Sequence, residues 1–213
     1  MKIFLAAVEP PLANAWRDAC GDLDFVTVHQ GSILDLKCDA VVSPANSFGF
    51  MDGGIDALYS HHFGWNVQNR LQDLIRERHH GELLVGTAEI VDTGNSQIPF
   101  LIAAPTMRVP MILSNSVNPY LAARAALLLI KTGTFATGML QGERVSDAVQ
   151  SVAFPGLGTG VGRVSPSICA RQVRAAINEV VLGRGSFPVT WADAQIRHQA
   201  LYTDRLRDLQ FGE

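Results

Sequence analysis

The chain has 213 residues, 47% of them hydrophobic, with 17 Lys and Arg against 20 Asp and Glu for a formal net charge of −3. That length and apolar content allow one domain with a sizeable core, and they exclude a disordered chain, whose apolar area would not offset the entropy of ordering. A net negative charge excludes a sequence-independent nucleic-acid binder, which needs a surplus of Lys and Arg to displace counterions.

Strands and helices alternate from the first residue, the pattern of a layered α/β domain. Ile3 to Val8 reads as a buried strand; the apolar run ends at Glu9-Pro10-Pro11, too soon for a signal peptide. Pro11 to Ala19 reads as a helix closed by Gly21. Phe25–His29 and Ala40–Val42 read as strands. Beyond the glycine-rich stretch Gly49–Gly54 the sequence is helical, with Val67, Leu71, Leu74 and Ile75 on one face and an end near His80-Gly81. Strands at Thr87–Asp92 and Pro99–Ala104 flank a turn at Thr93-Gly94-Asn95. Asn118-Pro119 caps a helix running to Lys131, and Leu121 to Ile130 contains Arg124 and falls far short of the roughly 20 apolar residues that span a bilayer. Ser151–Pro155 is a strand, and Ser165-Pro166 starts a helix with Ile168, Val173, Ile177 and Val180 on its apolar face. Trp191 to Leu209 is a candidate helix packed on the domain or on a partner.

Two glycine-rich loops carry the chemistry. The first, Ser43-Pro44-Ala45-Asn46-Ser47-Phe48-Gly49-Phe50-Met51-Asp52-Gly53-Gly54-Ile55-Asp56, follows a buried strand, where glycines let the backbone approach a ligand and turn amides toward it. Asn46 suits a ribose hydroxyl; equally, its side chain can close a turn on the backbone, with Asp56 capping the next helix. The second loop runs Gly156-Leu157-Gly158-Thr159-Gly160-Val161-Gly162 after Phe154-Pro155, an anion cradle of consecutive amides. Its glycine spacing is neither the dinucleotide fingerprint nor the Gly-Lys-Ser/Thr ending of a P-loop.

The stretches GSILDLKCDAVVSPAN, GGID and VAFPGLGTGVG, in this order, resemble the macro domain family, the ADP-ribose-binding module, in register from about Gly31 to Val180. The resemblance implies a three-layer α/β/α fold with a central mixed sheet over residues 1–182, followed by a helical extension over 183–213. It implies that Asn46 contacts the distal ribose, that Gly53, Gly54 and Ile55 line that ribose and the pyrophosphate, and that Gly156, Leu157, Gly158, Thr159, Gly160 and Val161 wrap the phosphates. Ser32, Ile33, Ala45, Asp52, Pro155 and Gly162 complete the ligand-binding set.

Asp56 stands where hydrolytic members carry an Asp after their glycine run. Its implied task is to orient or deprotonate a water attacking the distal ribose C1″ or an ester carbonyl there, which suits a carboxylate whose pKa is raised by partial desolvation. The implied activity is hydrolysis of an ADP-ribosyl linkage, with Asp56 and Asn46 as the catalytic pair; a non-catalytic reader of ADP-ribose and a phosphatase on ADP-ribose 1-phosphate use the same pocket.

Three departures bear on the substrate. The family's adenine-reading Asp is Ser32, with Asp22 and Asp24 as possible substitutes. The first Asn of its Asn-x-x-Asn is Ser43. Where an aromatic often follows Thr-Gly-Val there is Gly162 and then Arg163, so that Phe48, Phe50 or Met51 is left to supply an apolar wall.

The expected partner is ADP-ribose or an ADP-ribosylated substrate, with no membrane, no cofactor and no metal. His61-His62 and His79-His80 read as helix-surface histidines rather than ligands, and Trp16 and Trp65 as core aromatics. Arg108 is a weak phosphate candidate, and Tyr120 a side chain that could face the site. Cys20, Cys38 and Cys169 are scattered with no Cys-x-x-Cys, the usage of a reduced, cytoplasmic compartment.

Overall fold

The near-continuous apolar runs of the strands, such as Ile3–Ala7 and Ala40–Val42, are those of a parallel sheet covered on both faces. A computed structural model describes residues 1–44 and 46–207, so Ala45 of the first loop, and Asp208 and Leu209 at the end of the expected last helix, lie outside the described residues. The elements run β1 (Lys2–Ala7), α1 (Pro10–Cys20), β2 (Val26–Gln30), a 3-10 turn (Ile33–Asp35), β3 (Ala40–Ser43), α2 (Gly54–Phe63), α3 (Asn66–Arg78), β4 (Glu89–Asp92) and β5 (Phe100–Ala103). They continue with α4 (Asn118–Thr132), α5 (Val145–Ala148), β6 (Ser151–Phe154), α6 (Pro166–Val180) and α7 (Trp191–Ala200).

The sheet order is β2-β1-β6-β3-β5-β4, with every neighbouring pair parallel except β4 on β5. Side chains sort by strand period. Ile3, Leu5, Val42, Ile102, Val152 and Phe154 enter one core with the buried faces of α1, α4 and α6. Phe4, Ala6, Val41, Leu101 and Ala153 enter the other with Tyr59 of α2 and Val67, Leu71 and Ile75 of α3. This is the expected three-layer α/β/α arrangement around a mixed sheet. No helix of the described residues is long and apolar enough to cross a membrane.

Several local readings change. The helical stretch after the first loop is two helices, because Gly64 adopts φ 84° and breaks it. Trp65, at the start of α3, is 48% exposed rather than in the core, whereas Trp16 is fully buried. Val8 is 68% exposed, beyond the end of β1. Asn118 does not cap α4: its Nδ2 donates to the Thr106 carbonyl at 2.8 Å, and Ser116 Oγ accepts from the Asn118 amide. Ser165 does cap α6, accepting from the Ile168 amide at 3.4 Å.

The segment after α6 folds back onto it. Arg171 of α6 donates to the Ala200 carbonyl at 3.3 Å and pairs with Asp204 at 2.8 Å.

Candidate functional site

Because β1, β3, β5 and β6 are parallel, their C-terminal ends share one edge of the sheet, where open α/β sheets bind ligands. A cavity of about 660 Å³ opens there, within the range for a drug-sized ligand. Both glycine loops line it. Ser32, Ile33, Asn46, Asp52, Gly53, Gly54, Ile55, Asp56, Pro155, Gly156, Gly158, Thr159, Gly160, Val161 and Gly162 are brought together, over stretches of sequence more than a hundred residues apart. Leu157 is not among the lining residues: it is fully buried and points into the core.

The first loop is held from three sides. Asn46 Nδ2 donates to the Phe50 carbonyl at 2.8 Å, and its Oδ1 accepts from the amides of Phe48 and Phe50 at 3.1 and 3.3 Å. Met51 is fixed by Gln68, which accepts from its amide at 2.7 Å, and by Ser60, which donates to its carbonyl at 2.7 Å. On the β5 side, Thr106 Oγ1 donates to the Pro44 carbonyl at 2.9 Å and the Ser47 amide to the Arg108 carbonyl at 3.2 Å. The side-chain-to-backbone turn is thus observed for Asn46.

Asp56 is not a cap. Gly53 stands at the N-cap of α2, and Asp56 lies in its first turn. Its Oδ1 accepts a hydrogen bond from Ser43 Oγ at the end of β3. Asp56 is 7% exposed, and burial pushes its carboxyl up to about 7, partly offset by the Ser43 donor. Oδ2 has no hydrogen-bond partner among the described residues, and Asp56 lines the cavity.

The second loop presents free amides. None of the N–H groups from Gly158 to Gly162 donates to a backbone acceptor among the described residues, although the Gly158 and Gly160 carbonyls accept from Val164 and Arg163 at 3.0 Å each. Close packing demands glycine here: a Cβ on Gly162 would lie 2.5 Å from the Gly158 carbonyl oxygen. Among the described residues no Lys or Arg lines the cavity, and the charged ones that do are Glu9, Asp52 and Asp56. An anion would be held by amide dipoles alone.

Several expected side chains stand elsewhere. Asp22 and Asp24 precede β2, so they sit at the opposite edge of the sheet, and Asp22 pairs with Arg174. Arg108 pairs with Glu82 at 2.7 Å and lies over the Phe48 ring. Met51 is fully buried, and Phe50, 54% exposed, supplies the apolar rim. Tyr120 turns away to donate to Glu179. His61 and His62 are exposed, whereas His79 is half-buried with Nε2 2.8 Å from Glu89, so it is not a plain surface histidine. Sequence reasoning missed the wall made by Val8, Glu9, Pro11 and Leu12. The signal for it was the end of a parallel strand followed at once by a helix start.

A family model described as Macro domain matches residues 42–173. The chain belongs to the macro domain family. An uncharacterized protein of Aquifex aeolicus is 31% identical to this macro domain over 148 residues, 70% of this chain and 78% of the other. One from Aeropyrum pernix is 31% identical over 163 residues, 76% of this chain and 74% of the other. The fold is shared with the macrodomain of Mycobacterium tuberculosis DarG, with a TM-score of 0.57 at 20% identity, covering 72% of this macro domain and 90% of that chain. It is shared too with a variant of the Oceanobacillus iheyensis macrodomain with ADPR, with a TM-score of 0.56 at 17% identity, covering 81% and 86%.

Proposed function

We propose that this macro domain binds ADP-ribose and hydrolyses an ADP-ribosyl linkage at the distal ribose. The observation that carries the reading is Asp56: a carboxyl buried in the wall of the cavity that both amide-rich loops line, with one oxygen anchored by Ser43. The fold neighbour from Oceanobacillus iheyensis is a complex with ADPR, which supports the choice of ligand. In this reading the pyrophosphate lies against the free amides of Gly158 to Gly162 and the N-terminus of α2, and needs no cation. Ser32 and Ile33 stand at the adenine end, and Asn46 acts chiefly by shaping the loop around the ribose.

A carboxyl titrating near 7 is matched to general base work at neutral pH. Ionised Asp56 takes a proton from a water as its oxygen attacks C1″. The bond from C1″ to the modified group breaks, and the leaving atom recovers a proton from Asp56. ADP-ribose and the unmodified acceptor result. The preorganised amides hold the diphosphate throughout without rearranging.

Calorimetric titration of ADP-ribose into the wild type and Asp56→Ala, followed by turnover on a panel of ADP-ribosyl linkages, tests this. Micromolar binding to both, about 8 kcal/mol, with turnover lost at least a hundredfold in the variant, is the expected result. Binding with equal turnover in both would remove Asp56 from the chemistry, and binding without any turnover would leave a reader of ADP-ribose. Absence of binding would overturn the ligand itself.

A further inference from the structure

Ser43 occupies a position that neither the cavity lining nor the pattern of glycines singles out. It is the last residue of β3 and is fully buried, and it does not line the cavity. Its hydroxyl reaches across to the first turn of α2 and donates to Asp56 Oδ1, thirteen residues on in sequence. The neighbouring groups are already committed: the Tyr59 hydroxyl of α2 donates to the Val42 carbonyl at 3.1 Å, and the Ser43 carbonyl accepts from the Ala104 amide at 2.9 Å. No other side chain among the described residues donates to Asp56.

We propose that Ser43 is the positioning residue of this site: its hydroxyl fixes one oxygen of Asp56 so that the other is presented to the cavity. This rests on the hydrolytic reading of the same site. Three physical consequences follow. A carboxylate buried on a helix has two oxygens exchangeable by rotation about its last bond; a single anchored donor removes that freedom and leaves Oδ2 as the proton acceptor. A donor aimed at the charged form also favours ionisation, and so opposes the burial that raises the carboxyl. Because it acts from β3, it ties the base to the sheet rather than to the mobile end of its own side chain.

The other titratable groups near Asp56 cannot substitute. Tyr59 is fully buried and its own proton is held more tightly than usual by burial and by Asp56. Asp52 and Glu9, which also line the cavity, are acidic, and among the described residues no Lys or Arg lines it. Among the described residues, Ser43 is therefore the one side chain that donates to the base.

The test reads Asp56 directly and through turnover. Carbon-13 labelling of Asp side chains, with the Asp56 signal assigned by its loss in Asp56→Asn, gives the carboxyl midpoint in wild type and Ser43→Ala. The expected result is a midpoint raised by about one to two pH units in Ser43→Ala. Turnover by the variant should fall at least tenfold at pH 6 through kcat with KM unchanged, and recover to within threefold above pH 9. Ser43→Thr, which keeps the hydroxyl, should restore the wild-type profile, and ADP-ribose affinity should stay within threefold in Ser43→Ala because Ser43 does not touch the ligand space.

A midpoint unmoved in Ser43→Ala, or a kcat lowered equally at all pH values, overturns the role given to Ser43 while leaving Asp56 as the base. A wild type that binds ADP-ribose but turns over no linkage overturns the hydrolytic reading and this proposal with it.

Discussion

Replacing Asp56 by Asn should make the protein more stable, and more so the higher the pH. The buried carboxyl has its folded midpoint pushed up to about 7, above the usual carboxylate range. An acid whose folded pKa lies above its unfolded pKa contributes most below the unfolded value, and loses that contribution as pH rises through the folded one. At pH 5 the unfolded chain is already ionised at this residue while the folded one stays protonated; at pH 8 the folded chain carries the buried charge. Linkage puts the cost of Asp56 at about 4 kcal/mol once ionisation is complete, of which about 2–3 kcal/mol develops between pH 5 and pH 8. Asn keeps an oxygen for the Ser43 hydroxyl and has no charge to form. Thermal melts of the two proteins at matched pH subtract every other titration, which they share. The Asp56→Asn protein should gain about 5–10 °C on the wild type between pH 5 and pH 8, at about 2–4 °C per kcal/mol for a chain of this size. A difference in Tm that stays constant across that range would show that the carboxyl is not desolvated, and the argument for a base tuned to neutral pH would go with it.

Two further outcomes concern the second loop. Gly162→Ala should cost about 1–3 kcal/mol and weaken ADP-ribose at least tenfold, since its Cβ would lie 2.5 Å from the Gly158 carbonyl oxygen, whereas Gly160→Ala, with nothing within 4 Å, should melt with the wild type; equal melting of both would mean that the loop is loosely packed. ADP-ribose affinity should fall less than about threefold between 50 and 500 mM NaCl, because among the described residues amides, and no Lys or Arg, line the ligand space. A steep loss of affinity with salt in the titration would reveal a cation at the diphosphate.

The layered fold was legible because strand side chains alternate between two cores, and glycines after β3 and β6 mark where those strands end. What could not be read was anything decided by the path of the chain between elements. Asp22 and Asp24 looked available near Ser32 in sequence, yet a parallel strand places its two ends at opposite edges of the sheet, and they sit at the wrong one. Gly64 lies inside an apolar pattern that continues on both sides, so the break between α2 and α3 left no periodic trace. Asp56 was picked out by its place after the glycines, but its partner was not. Nothing in a separation of thirteen residues says that Ser43 and Asp56 meet, because the intervening loop sets that distance. Asn46 offered two readings at the sequence level, and the loop's own hydrogen bonds chose the backbone turn.

The order of strands has a consequence for how the protein is made. β6 lies between β1 and β3, pairing Lys2 with Ser151 on one side and Ala40 with Val152 on the other. During synthesis β1 with β2, and β3 with β5 and β4, emerge as two half-sheets, each with an unpaired parallel edge, until some 150 residues have been joined. Contacts of such long sequence separation form slowly, and bare strand edges are templates for wrong pairing. The last strand to arrive thus closes the sheet and delivers the second glycine loop in the same event. A nascent or truncated chain ending before it has no cradle to offer, so acquisition of ligand reports completion of the fold.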